Sequence, residues 1–136
     1  MPSLVGMKTA LIFERDPGTR IALVRILGRL GWEVDATHDF EHALRLFNKR
    51  PPDIVLLSWP GDAGVWLLTT FKADRDRRAT PVVVMADAQV DIDVEAAVEL
   101  GANDVLRKPV SASAVRLVTD RWVVDPMDSA SCASED

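Results

Sequence analysis

Few side chains in this chain are equipped for chemistry. Two histidines, His38 and His42, and one cysteine, Cys132, supply neither a zinc-type ligand set nor an internal disulfide. What remains is a set of acids, bases and hydroxyls that follow apolar runs. Glu14-Arg15-Asp16 follows Thr9-Ala10-Leu11-Ile12-Phe13, and Ser58 follows Asp53-Ile54-Val55-Leu56-Leu57. Asp87 lies just past Pro81-Val82-Val83-Val84-Met85, and Lys108 just past Asp104-Val105-Leu106. In open parallel sheets, ligands and reactive groups are held at the carboxyl ends of the strands. A serine at such an end is a nucleophile only beside a base, and neither histidine belongs to a strand end.

Each of these positions needs an element to hold it. Residues 53–57 carry four large aliphatics without alternation, which predicts a central strand covered on both faces. Trp59-Pro60-Gly61 predicts a turn directly after Ser58. A first strand precedes Glu14, and Asp16-Pro17 reads as a helix start with the carboxylate as N-cap. Leu23, Leu27 and Leu30 give that helix an apolar stripe, and Gly31 ends it. Residues 33–36 alternate as an edge or near-edge strand does. A second helix begins near Asp39 and spaces Phe40, Ala43, Leu44 and Phe47 at i, i+3, i+4 and i+7, as core residues. Trp66, Leu67, Leu68 and Phe71 mark a third helix. Residues 81–85 predict a fourth strand, with Ala86 and Asp87 in the loop that follows. Val94, Ala97 and Val98 mark a fourth helix, stopped by Gly101. Residues 104–106 predict a short fifth strand, and Ser111 caps a last helix carrying Val115, Val118 and Trp122. Five strands alternating with five helices on short links predict a three-layer α/β sandwich.

The chain has 136 residues, 48% of them hydrophobic, which suits one domain with a real core. No apolar run approaches the roughly 18 residues that cross a bilayer. Residues 1–7 lack the features of a secretion signal and read as a flexible leader. The formal net charge is −5, but residues 125–136 hold Asp125, Asp128, Glu135 and Asp136 and no base. The domain expected over residues 8–124 is therefore near neutral, and 125–136 reads as an acidic, disordered tail. A near-neutral domain offers neither a nucleic-acid groove nor a surface for anionic membranes. The cysteine usage fits a cytoplasmic setting.

Several stretches together resemble the receiver domain of two-component response regulators. They are Leu11-Ile12-Phe13-Glu14-Arg15-Asp16-Pro17, Pro52-Asp53-Ile54-Val55-Leu56-Leu57-Ser58, Pro60-Gly61, Thr80-Pro81-Val82-Val83-Val84-Met85 and Gly101-Ala102-Asn103-Asp104-Val105-Leu106-Arg107-Lys108-Pro109. The resemblance implies a flavodoxin-like fold with parallel strands in the order 2-1-3-4-5. It also implies a pocket with an acidic pair after the first strand, a phospho-accepting aspartate closing the third and a Thr or Ser closing the fourth. An aromatic switch on the fifth strand and a lysine before a cis proline complete the family pattern. Here the acidic pair reads Glu14 and Arg15, and the acceptor position is Ser58. The hydroxyl position is Ala86, the aromatic position is Val105, and Lys108-Pro109 is retained. The loop from Ser58 to Gly64 is shorter than the family pattern.

Three carboxylates and a lysine give a receiver pocket a formal charge of −2, which suits a hard dication wanting oxygen ligands. Glu14, Arg15, Ser58 and Lys108 give +1. No Mg²⁺, no other cofactor and no enzymatic activity are expected, and hence no acyl-phosphate chemistry. Lys108 is expected to pair with Glu14. Two geometries are open to Arg15: bridging Glu14 to nearby carbonyls in place of the metal, or pointing to solvent. Trp59 either covers the pocket mouth or anchors a partner. The expected function is that of a pseudo-receiver, which works by phosphorylation-independent contact with a histidine kinase or an output protein. Its interaction face would combine Asp91, Asp93, Glu95 and Glu99 on the fourth helix, Arg107 on the fifth strand, and Arg116 and Arg121 on the last helix. A homodimer could match these charges across a two-fold axis. The charges could equally be solvated helix sides. Three other functions are open: phosphorylation at a displaced acid, Asp62 or Asp87; ligand binding by a flavodoxin-like protein; and capture of a sulfate or a partner's carboxylate at Lys108 and Arg15. Against the second, the sequence has neither a G-x-G-x-x-G turn nor a Walker-type loop.

Overall fold

The computed structural model describes residues 7–59, 61–76, 78–87 and 94–123. Asp91, Asp93, the expected tail and all of the expected leader but Met7 lie outside them. Along the chain run β1 (Thr9–Phe13), α1 (Pro17–Arg29), β2 (Glu33–Thr37), α2 (Phe40–Lys49) and β3 (Ile54–Trp59). Then follow α3 (Asp62–Ala73), β4 (Val82–Asp87), α4 (Val94–Glu99), β5 (Asp104–Lys108) and α5 (Ala112–Trp122). The sheet order is β2-β1-β3-β4-β5, and every neighbouring pair is parallel. This is the flavodoxin-like order that the receiver resemblance implies.

The unbroken aliphatic run of β3 has the expected cause. Successive side chains leave opposite faces of a strand, and both faces are covered. Val55 and Leu57 join Leu11, Phe13, Val82 and Val84 against Ala43, Phe47, Leu67, Leu68, Phe71 and Ala97, from α2, α3 and α4. Ile54 and Leu56 join Ala10, Ile12, Val83, Met85 and Leu106 against Leu23, Leu27, Val115 and Val118, from α1 and α5. Phe47 and Phe71 stack with ring centroids 4.0 Å apart. Helix starts are fixed as their side chains predict. Asp16 accepts from the Thr19 N–H at 2.9 Å, Asp39 from the Glu41 N–H at 2.9 Å, and Ser111 from the Ala114 N–H at 3.2 Å.

β3, β4 and β5 extend further at their carboxyl ends than the sequence reading, and β2 extends through Thr37. β3 continues through Ser58 to Trp59 because β4 also extends, pairing Ser58 with Met85 and Trp59 with Ala86. Trp59 is consequently a core residue, 5% exposed, and does not cover a pocket mouth. Ala86 and Asp87 belong to β4 rather than to a loop, and Lys108 belongs to β5. On the helices, the buried positions of α3 are Gly64, Leu67, Leu68 and Phe71, at helical spacing. Trp66 is off that stripe and 65% exposed. Val98 and Trp122 are exposed as well, Trp122 because its indole N–H turns to Asp104 Oδ2 at 2.8 Å.

The amino ends of β4 and β5 are tied by one cation. Lys72 Nζ donates to the carbonyls of Arg78 (3.0 Å) and Thr80 (2.9 Å) and to Asn103 Oδ1 (2.8 Å). Asn103 Oδ1 also accepts the Val82 N–H at 2.9 Å. Burial lowers the Lys72 pKa from its ordinary value. At the opposite end of the sheet, α3 crosses β3 so closely that a Cβ at position 64 would lie 2.6 Å from the Ser58 carbonyl oxygen. The same addition at Gly28 meets nothing within 4 Å. Gly64→Ala should therefore lower unfolding free energy by about 1–3 kcal/mol through overpacking. Gly28→Ala should raise it by about 0.5–1 kcal/mol through helix propensity. Urea denaturation of the two variants checks the contrast.

Candidate functional site

The carboxyl ends of β1, β3 and β5 converge on Glu14. Its backbone is held by β2, the Glu14 N–H donating to the Thr37 carbonyl at 3.0 Å. Its carbonyl accepts from Arg20 Nη1 at 2.8 Å. The side chain is 2% exposed. Oε2 accepts the Asp16 N–H at 3.0 Å, and Oε1 lies 2.7 Å from Lys108 Nζ. Lys108 Nζ also donates to Ser58 Oγ, at a long 3.4 Å. The lysine of β5 therefore reaches past the end of β3 to an acid that follows β1, with the serine beneath it. The Lys108-Pro109 peptide is cis.

Arg15 does not bridge to Glu14. Its side chain is exposed, and among the described residues it makes no ion pair. The physical reason is prior occupancy. Lys108 meets the Glu14 carboxylate, and Arg20 takes the Glu14 carbonyl and, at 3.4 Å, that of Arg15. Arg15 instead lines a small cavity of about 40 Å³ with Phe13, Ser58, Gly61, Ala63 and Gly64. It also lines an open groove of about 580 Å³ with Phe40, Asp62, Ala63 and Trp66.

The formal pocket charge of +1 counts too few acids. Asp16, Thr19, Asp87, Lys108 and Pro109 line one cleft of about 330 Å³. Asp87 stands opposite Lys108 in the β4–β5 register. Asp16 is committed to capping α1. The Thr19 hydroxyl (2.7 Å) and N–H lower its pKa from the ordinary value, helped by the charges of Lys108 and Arg20. These acids do not make a metal centre: among the described residues, no group of three His, Cys, Asp or Glu is placed to hold one. Glu14, the buried carboxylate, is ion-paired, and Arg15 adds a cation where a ligand would be needed. The residues present do not fit Mg²⁺.

The remaining predicted positions are dispersed. Ala86 is buried in β4, and Val105 is half-buried, packed against the core on the α2–α4 side. Asp62 is exposed at the start of α3. His42 Nδ1 lies 2.9 Å from Thr37 Oγ1 at the end of β2, so it offers Ser58 no base. On the expected interaction face, Glu95, Glu99 and Arg107 are exposed, but two bases are already matched within the chain. Arg121 Nη1 meets Asp104 Oδ2 at 2.7 Å, and Arg116 Nε lies 3.8 Å from Asp120 Oδ2. Burial raises the Asp104 pKa, but hydrogen bonds from Trp122, the Val105 N–H and Arg121, with the Arg121 charge, outweigh it and leave the group lowered. Sequence reasoning missed Arg20 and Gly64. Arg20 lies one helical turn past the Asp16 cap, which was a usable signal. For Gly64 no sequence signal separates a close approach from a loop.

A parallel sheet that gathers an acid, a hydroxyl and a lysine at one end defines a receiver-type signalling domain. The comparisons agree. A model of the response regulator receiver domain matches residues 10–119. The transcriptional regulatory protein AfsQ1 of Streptomyces coelicolor is 32% identical over 137 residues, covering 94% of this chain and 58% of AfsQ1. The phosphate regulon transcriptional regulatory protein PhoB of Escherichia coli is 28% identical over 103 residues, covering 74% of this chain and 45% of PhoB. The receiver domain of NtrX from Brucella abortus superposes with a TM-score of 0.73 at 26% identity, covering 85% of this chain and 98% of that one. The receiver domain of the sensor histidine kinase PA1611 from Pseudomonas aeruginosa has a magnesium ion coordinated in its active-site cleft. It superposes with a TM-score of 0.76 at 23% identity, covering 85% of this chain and 97% of that one. The chain belongs to the response regulator receiver domain family, the receiver modules of two-component signalling. It spans about half the length of the curated relatives it matches. Among the described residues, no helix is long and apolar enough to cross a membrane.

The buried pair makes a direct prediction. Lys108→Met leaves the Glu14 carboxylate buried without a counter-charge and should cost about 3 kcal/mol of unfolding free energy. Adding Glu14→Gln to that variant should restore most of the loss, as measured by urea denaturation of the single and double variants.

Proposed function

We propose that this receiver signals without accepting a phosphoryl group, through contacts with partner proteins in the cytoplasm. The observation that carries the reading is the Glu14–Lys108 ion pair at 2.7 Å beside Ser58. In a phosphorylated receiver, a carboxylate attacks and cations meet the charge of the transferred group. Here the strand-end residue is a neutral hydroxyl with no base beside it among the described residues, and the lysine already meets a buried acid. The partners are a histidine kinase or an output protein, met through α4, β5 and α5, and a homodimer through that face belongs to the same reading. α4 and α5 carry the exposed apolar residues Val98, Leu117 and Trp122, which support a contact there. The matched pairs Arg121–Asp104 and Arg116–Asp120 leave less charge for a two-fold arrangement than the sequence promised.

A second reading rests on one position. Asp87 is exposed at the end of β4, in the cleft shared with Lys108, where a displaced acceptor would need to stand. Asp62 lines the Arg15 groove and not that cleft. Incubation with acetyl phosphate and Mg²⁺, followed by intact mass spectrometry, separates the two readings. The expected spectrum shows the unmodified chain alone. An increment of one phosphoryl group contradicts phosphorylation-independent signalling, and peptide mapping to Asp87 or Asp62 would establish the displaced acceptor.

A further inference from the structure

A cation, Arg15, and a large aromatic, Trp66, are both exposed and line one groove near Ser58. Trp66 is 65% exposed on α3, although Leu67 and Leu68 beside it are fully buried. It lines an apolar groove of about 580 Å³ with Phe40, Ala63, Arg15 and Asp62. Arg15 and Ala63 also line the cavity of about 40 Å³ over Ser58. The two spaces therefore share a wall, running from a small mixed cavity at Ser58 to an open, mainly apolar groove at Trp66. Neither Arg15 nor Asp62 is engaged in an ion pair among the described residues, so the guanidinium fork is free.

We propose that this track is a docking site for a partner-protein segment that carries a carboxylate beside an apolar side chain. It rests on the reading that Ser58 and its neighbours take no phosphoryl group, and it gives that reading a binding surface. The carboxylate meets Arg15, whose planar fork bonds both carboxylate oxygens. Ser58 assists: its oxygen accepts from Lys108, which leaves its hydrogen free to donate. The cavity of about 40 Å³ exceeds the roughly 10–15 Å³ that one water needs, so a polar atom can enter beside Ser58. The apolar neighbour covers Trp66 and Phe40. Trp and Arg are the residue types that most often dominate interface energetics once they are desolvated. Charge complementarity selects the occupant. Lys108 is paired with Glu14, so among the described lining residues Arg15 is the unpaired cation; Asp62 lines the Trp66 groove and not the Ser58 cavity, which places the carboxylate at the Ser58 end and disfavours a second acid beside Trp66.

The probe is an acetylated Leu-Glu-Phe amide, with Leu-Gln-Phe amide as control, titrated into the ¹⁵N-labelled full chain and followed by NMR. The expected shifts concentrate on the Trp66 indole N–H and the amides of Arg15, Ser58 and Ala63. The Gln peptide should bind about ten-fold more weakly, as should the Glu peptide to Arg15→Gln and Trp66→Ala, for loss of a charge-assisted bond or an aromatic anchor. Both variants alter exposed side chains, and their melting temperatures verify the fold. Equal binding of the two peptides, or an unchanged affinity of Arg15→Gln, overturns the proposal. So does movement of the same signals in the free chain when Asp125, Asp128, Glu135 and Asp136 are converted to their amides, because the chain's own tail is then the occupant. A phosphoryl adduct with acetyl phosphate would instead contradict the phosphate-free reading while leaving the acid-dependent peptide result intact.

Discussion

A carboxylate at 2% exposure cannot stay charged in a protein interior without a partner, because the desolvation of an unpaired ion costs several kcal/mol. Glu14 meets that condition through Lys108, and the arrangement depends on sheet order. β5 is separated from β1 by β4 and β3, so the lysine has to pass the end of β3 to reach Glu14. Ser58 is the residue it passes. A small neutral side chain there accepts one long hydrogen bond and does not compete for the cation. An aspartate at the same position would draw Lys108 to itself and split the charge between two acids. The serine and the buried pair are therefore one arrangement, and Arg20 and the Asp16 N–H complete it by holding the Glu14 backbone and second oxygen.

Most of the fold was legible because its signals are local and periodic. The aliphatic run of β3, the i, i+3, i+4, i+7 spacing of α2 and the side-chain caps at Asp16, Asp39 and Ser111 each specify an element without tertiary information. The errors came where tertiary pairing decides. Ser58 and Trp59 look like the start of a turn before Pro60-Gly61, but a longer β4 carries the ladder through both, and the indole is drawn into the core. Trp66 fits an apolar stripe by proximity in sequence, yet its helical angle puts it outside the positions that face the sheet. Likewise the pairing of Lys108 with Glu14 followed from charge, while the orientation of Arg15 did not. That orientation depends on Arg20 arriving first, which is a matter of distance across a loop.

The site also shows why counting charges by motif position misleads. Asp16 and Asp87 are not part of the family pattern that sequence comparison brings to mind, yet both face the cleft that holds Lys108. Their presence makes the local balance more acidic than the motif count, without creating a metal centre, since Asp16 is spent on capping α1. The outcome is a receiver scaffold whose electrostatic needs are met from within. The buried acid already has its counter-charge in Lys108, and this is what supports the phosphate-free reading proposed above.

Titration calorimetry with MgCl₂ and then beryllofluoride, a phosphoryl mimic, tests that closure most directly. A pocket balanced by Glu14 and Lys108 should give only heats of dilution, with the Mg²⁺ step and the mimic step both non-saturating through the millimolar range. A saturable heat in either step, abolished by Ser58→Ala or Glu14→Gln, would show that the pocket still takes the metal or the phosphoryl group and would contradict the account.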